Sequence, residues 1–170
     1  FSPDDERLLS GGWDISAASI WDVRTSGGAE WAKLPTTEGY AATAAFTPGG
    51  GTVIATAADG QLTEWDATTG EAIRTVGEAR PGEDPFDVDA VVIETSPDGQ
   101  LFASSSTSGP VRVWDARTGE EVFTAGPDAW IFHAAWSPDG ELLAIAGVDE
   151  EDGGVVQIVD RSGEDVVVLR

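Results

Sequence analysis

One phrase recurs four times along the chain: a Ser/Thr-Pro turn, then about 18 residues later an aliphatic run that closes on Trp-Asp. The turns are Ser2-Pro3-Asp4, Thr47-Pro48-Gly49, Ser96-Pro97-Asp98 and Ser137-Pro138-Asp139, so the intervals between them are 45, 49 and 41 residues. The closing marks Trp21-Asp22, Trp65-Asp66, Trp114-Asp115 and Val159-Asp160 keep step. A fixed period of this size means that one supersecondary unit is repeated, and that each unit hides its apolar face against a sibling.

The content of each period is β. Short apolar or hydroxyl-rich runs at 52–57, 101–106 and 141–146 are bounded by Gly, Pro and Asp, as strands are. Gly-containing turns at Asp59-Gly60, Ser108-Gly109 and Asp152-Gly153-Gly154 lead into the runs that end on the Trp-Asp mark, 61–66, 110–115 and 155–160. These are hairpins. A second turn closes on Gly70, Gly119 or Gly163 and a further strand follows at 71–76, 120–125 and 165–169. Small-residue strands at 40–46, 87–95 and 131–136 precede the Pro turns, and in the first unit the strands fall at 7–10, 17–22 and 29–34. No segment carries a helical period.

Turn, Trp-Asp and following Gly recurring in register over the whole chain resemble the WD-repeat β-propeller family. The resemblance implies an all-β fold, a β-propeller arc of four blades of four-stranded antiparallel sheets. The blades are expected at about 1–39, 40–86, 87–130 and 131–170, as a single WD-repeat region. The first blade lacks its innermost strand, since Phe1 stands where that strand should end. Unpaired edges invite association, so the arc is expected to be completed either by further sequence or by a second copy. The absence of Met, including an initiator, is read as the sign of a longer polypeptide.

The ring of each Trp-Asp mark (Trp21, Trp65, Trp114) is expected to fill the space between blades. Val159 takes that place in the fourth unit, a smaller filler. Counted from the turn glycines, Trp31 aligns with Ile73, Val122 and Val166, and the alignment predicts a core column. Many family members link a Gly-His, a strand hydroxyl, a turn Asp and the Trp into a buried hydrogen-bonded staple. Here the Gly-His place reads Gly126-Pro127 in the third unit, and Asp59 alone holds the turn position. The expectation is therefore a chain held by apolar packing and backbone ladders without that staple.

Composition narrows the function. Nine basic against 31 acidic residues give a net charge of −22, which repels DNA, RNA and anionic membrane surfaces. Without Cys there are no disulfides, zinc thiolates or thiol nucleophiles. No stretch near 20 apolar residues and no basic-then-apolar leader is present, so a cytoplasmic location is the expectation. Eight Arg to one Lys, with abundant Ala and Gly, point to a bacterial gene. The acidic runs, Asp149-Glu150-Glu151-Asp152 and the group of Glu78, Glu83, Asp84, Asp87 and Asp89, lack the spacing of a calcium loop. They are read as solvated charge. The excursion at 77–85, which lengthens the second period, is read as a surface for a partner.

No catalytic residue, metal or cofactor is predicted. An enzyme reading would rest on Glu94 and His133 as channel-facing groups, but no nucleophile motif accompanies them. The predicted role is a non-catalytic protein-protein interaction scaffold or sensor in a larger bacterial regulatory protein. Its partner is a neutral or basic protein or peptide, and the alternative is a half-propeller that self-associates. The candidate docking face comes from counting back from each Pro turn: Tyr40, Asp89 and Trp130 are equivalent and stand at the entrance to innermost strands. In the family that position rings the channel mouth, where aromatic anchors bind partners. Trp13 and Phe86 are expected on the same face.

Overall fold

The computed structural model describes residues 1–11, 17–24, 28–35, 43–56, 61–76, 92–105, 109–127, 130–149 and 153–170. They hold fifteen strands in four antiparallel sheets, and none of them is helical. Among the described residues no helix is long and apolar enough to cross a membrane. The chain divides into two compact units, Phe1–Pro81 and Gly82–Arg170.

The first unit contains two sheets. Strands β1 (Arg7–Ser10), β2 (Ala17–Asp22) and β3 (Ala29–Pro35) form a three-stranded sheet in the order β1-β2-β3. Strands β4 (Ala44–Phe46), β5 (Thr52–Thr56), β6 (Leu62–Asp66) and β7 (Ala72–Val76) form a four-stranded meander. Register shows that β1 corresponds to β5, since Arg7 faces Asp22 as Thr52 faces Asp66. The strand missing from the first sheet is thus the innermost one, as the sequence predicts.

Alternation decides which side chains are buried. Leu9, Ala18, Ile20, Ala32 and Leu34 share one face of the first sheet, and they pack in one cluster with Ala44, Phe46, Val53, Ala55, Trp65 and Ala67 of the second. Arg7 crosses the same seam. Its guanidinium donates to the backbone oxygens of Gly50 and Ala67 at 2.9 and 3.3 Å and lies over the Phe46 ring.

The second unit repeats the plan. Strands β8 (Val92–Thr95), β9 (Leu101–Ser105), β10 (Val111–Asp115) and β11 (Glu121–Ala125) form one sheet; β12 (Trp130–Trp136), β13 (Leu142–Asp149), β14 (Gly153–Asp160) and β15 (Asp165–Leu169) form the other. Val92, Leu101, Ala103, Val111, Val113 and Ala125 meet Ile131, Ala134, Trp136, Leu143, Ile145 and Val159 in a single core. Within each unit the face of the first sheet that carries the residue before the Trp-Asp ring therefore meets the face of the second that carries the ring or, in the fourth sheet, Val159. The fourth sheet departs from the expected turn at Asp152-Gly153-Gly154: β13 and β14 are eight residues long, Asp149 pairs with Gly153, and both glycines belong to the ladder.

Turn glycines mark the seams. Gly70 has φ +72°, and a Cβ there would stand 2.8 Å from the Lys33 backbone oxygen; at Gly163 (φ +86°) it would stand 2.7 Å from the Phe123 ring. Left-handed backbone and close approach both require glycine. In each unit the outer strand of one sheet is thus seated on the final turn of the next.

The Trp-Asp framework and the candidate interaction face

Each Pro turn is closed by its own hydroxyl. The hydroxyls of Ser2, Ser96 and Ser137 donate to Asp4, Asp98 and Asp139 and accept the backbone N–H of Arg7, Leu101 and Leu142 at 2.9–3.0 Å. The three carboxylates in turn accept the N–H of Glu6, Gln100 and Glu141. This donor set holds the carboxyls below the usual Asp range; for Asp98 the Ser96 hydroxyl contributes most, with Gln100 N–H and Arg161 adding to it, and the value falls to about 2. Hydrogen bonds to the ionised form favour it.

The Asp of the Trp-Asp mark does related work one turn later. Asp66 accepts the backbone N–H groups of Thr68 and Thr69, Asp115 those of Arg117 and Thr118, and Asp160 those of Ser162 and Glu164. These are Asx turns. Asp22 differs: the Arg24 side chain is its main partner, at 2.7 and 3.0 Å, and brings its carboxyl down to about 2. Arg24 also reaches Glu6 and lies over Trp31.

The rings distinguish the sheets from one another. Trp21 Nε1 donates to Ser10 Oγ at 2.7 Å and Trp114 Nε1 to Ser104 Oγ at 3.0 Å. The hydroxyl-indole half of the family staple is therefore present in the first and third sheets, against the expectation that the staple is lost. The missed signal is a Ser ten or eleven residues before the Trp, on the neighbouring strand two residues along from the residue that pairs with it. Ala55 takes that place in the second sheet, and among the described residues the buried Trp65 Nε1 has no acceptor. In the fourth sheet Val159 lies across from Leu143, with Ile145 in the hydroxyl's place, so the site is wholly apolar and fully buried.

The column read as core is a surface column. Trp31, Ile73, Val122 and Val166 are 43–52% exposed. They lie on the outermost strands and alternate with the residues that enter the seam, so a count in register finds their equivalence but not which way they point. Trp31 is tethered by its indole to the Thr68 carbonyl oxygen at 3.2 Å.

Trp130 opens β12 and is 63% exposed. It pairs across the sheet with exposed Val148, and a bulge between Ile131 and His133 turns Phe132 outward too, at 57% exposure. The sequence does not announce Phe132 or Val148, because only the bulge puts Phe132 at the surface. Tyr40, Asp89, Trp13 and Phe86, as well as Asp59, lie outside the described residues. His133, next along β12, is exposed; Glu94 on β8, the strand packed beside β12, is half-buried. Burial pushes the Glu94 carboxyl up, while the nearby His133 pulls it the other way. Among the described residues no group of three or more His, Cys, Asp or Glu could hold a metal ion.

Residues 83–115 match the family model of the WD domain, G-beta repeat. The match falls on the third period, and the repeated antiparallel sheets on either side of it are consistent with a WD-repeat propeller. No curated protein matches it.

Proposed function

We propose that the chain is a non-catalytic interaction module, the scaffold or sensor part of a larger bacterial regulatory protein of the cytoplasm. It takes a neutral or basic protein or peptide on the face where the innermost strands begin. The observation that carries this reading is the exposed trio of Trp130, Phe132 and Val148 on a rigid strand pair. Aromatic side chains on a stiff scaffold are the usual anchors of a protein interface. By their place in the repeat, Tyr40, Asp89, Trp13 and Phe86 are further candidates for partner contact, each within its own repeat. The net charge of −22 selects against acidic partners and raises encounter rates with basic ones. WD repeats as a class point the same way, towards interaction rather than catalysis.

Panning a displayed random-peptide library on the immobilised chain tests the reading. Neutral or basic peptides should be enriched, and Trp130→Ala combined with Phe132→Ala should weaken them by about 30-fold, the equivalent of an anchor worth about 2 kcal/mol. Peptides held equally well by the double variant would put the docking surface elsewhere.

A further inference from the structure

The outermost strands repeat a device of their own. In every sheet the ladder between the Trp-Asp strand and the outer strand skips one residue: Trp31 between Glu30 and Ala32, Ile73 between Ala72 and Arg74, Val122 between Glu121 and Phe123, and Val166 between Asp165 and Val167. Each skipped residue is the extra member of a bulge, and each is large, apolar and 43–52% exposed. Neither kind of neighbouring sheet covers the position. Trp31 and Val122 are exposed with the following sheet of their own unit in place, Ile73 and Val166 with the preceding one. Over these equivalent places the exposure belongs to the outer strand itself, whatever adjoins the first and fourth sheets.

Charge accompanies the column. Two residues before the skipped one, directly after the turn glycine, stand Glu71, Glu120 and Glu164, all exposed. Among the described residues none of the three makes an ion pair. In the first sheet Ala29 holds that place, and there the chain supplies a cation of its own: the Arg24 guanidinium lies 5.7 Å from the centroid of the Trp31 ring while it bonds Asp22 and Glu6. One site of the column thus already seats a guanidinium on an apolar side chain within reach of carboxylates. The other three sheets keep the apolar residue and add the carboxylate.

We propose that this column is a second interaction surface, apart from the face of Trp130, and that it takes an extended segment of another protein carrying a basic and an apolar residue two positions apart. An extended backbone presents residues at that separation on one side, which matches the separation of Glu71 from Ile73, Glu120 from Val122 and Glu164 from Val166. The net charge of −22 turns away phosphate-bearing surfaces and leaves a basic peptide as the complementary ligand.

Fluorescence anisotropy with a labelled peptide of repeated Arg-Ser-Val-Ser tests this, with a control peptide of equal charge in which every Val is Ser. Titrations at about 0.15 M NaCl screen the long-range attraction that any basic peptide feels. The Val-containing peptide should bind at least about tenfold more tightly than the control. Replacing Ile73, Val122 and Val166 together by Thr, which keeps a β-branched shape at half-exposed places, should bring its affinity down to that of the control. Trp130→Ala with Phe132→Ala should leave it unchanged, so that a failure here is distinct from a failure of the docking face. Equal binding of the two peptides, or none of either, overturns the proposal. Binding that survives the triple variant also overturns it, as does binding abolished by the Trp130 and Phe132 changes, which would place the peptide on the other face.

Discussion

The second and third sheets carry the same Trp-Asp word and nearly the same backbone, yet differ in what the word does. Trp65 faces Val53 and Trp114 faces Phe102, and both ladders slip by one residue just before the ring. In the third sheet the indole is bonded to Ser104 and stacked on Phe102, with ring centroids 6.1 Å apart. In the second, Ala55 replaces the hydroxyl and the buried indole N–H has no partner among the described residues. The Pro turns differ likewise: Asp98 completes one, while in the other Gly49 brings no carboxylate and the Thr47 hydroxyl lies 3.0 Å from that of Thr52. The comparison separates two roles. Ring volume and ladder register make the sheet; the polar circuit is an addition that individual repeats hold or lack.

The largest expected effect comes from making the third sheet resemble the second. Ser104→Ala strands the Trp114 N–H in a site where the ring is 5% exposed, and an unsatisfied buried donor costs about 1–3 kcal/mol. Urea unfolding followed by Trp fluorescence should show that loss. If stability is unchanged, the hydrogen bond is dispensable and the two sheets are alike after all.

The reverse change is smaller. Ala55→Ser places a hydroxyl where Ser10 and Ser104 stand, and a satisfied hydrogen bond returns about 0.5–1.5 kcal/mol. Ala55 is 1% exposed, so the added oxygen has to fit a packed seam against the first sheet. A gain in the urea midpoint would establish the equivalence of the two ring sites. A loss would mean that packing in the second sheet has closed over the place where the hydroxyl belongs.

Strand order, sheet number and the missing innermost strand were legible in the sequence because turn chemistry and a two-residue alternation write themselves directly into residue type. What stayed hidden depends on direction or on pairs distant along the chain. Trp31, Ile73, Val122 and Val166 repeat as faithfully as any core residue, and only the pleat turns them outward. Ser10 and Ser104 are ordinary strand serines until the ladder sets them diagonally beside an indole. The length of β13 and β14 was missed because Gly153-Gly154 reads as a turn, although long neighbouring strands carry it into the ladder. For the candidate face, Trp130 was legible as a strand entrance. Phe132 was not, since a bulge leaves no mark in a run of apolar residues.

The Pro turns offer the finest test of the difference between the two sheets, through pH. Asp98 titrates at about 2 in the folded chain against 3.8 for an ordinary Asp. The unfolded chain therefore takes up the proton first, and the stabilisation is complete above about pH 4 and lost as the pH falls towards 2. The turn of the second sheet has no such carboxylate to lose. Gly49→Asp supplies one at a position where an added Cβ meets nothing within 4 Å, with the Gly51 N–H placed as Gln100 N–H is for Asp98. Urea midpoints measured between pH 2 and 7 should show a gain for this variant above about pH 4, smaller than that of Ala55→Ser because the site is exposed, and none near pH 2. A gain that persists into acid would trace to the loss of a flexible glycine in the unfolded chain rather than to the carboxylate. The turns of the second and third sheets would then differ in backbone entropy, not in charge.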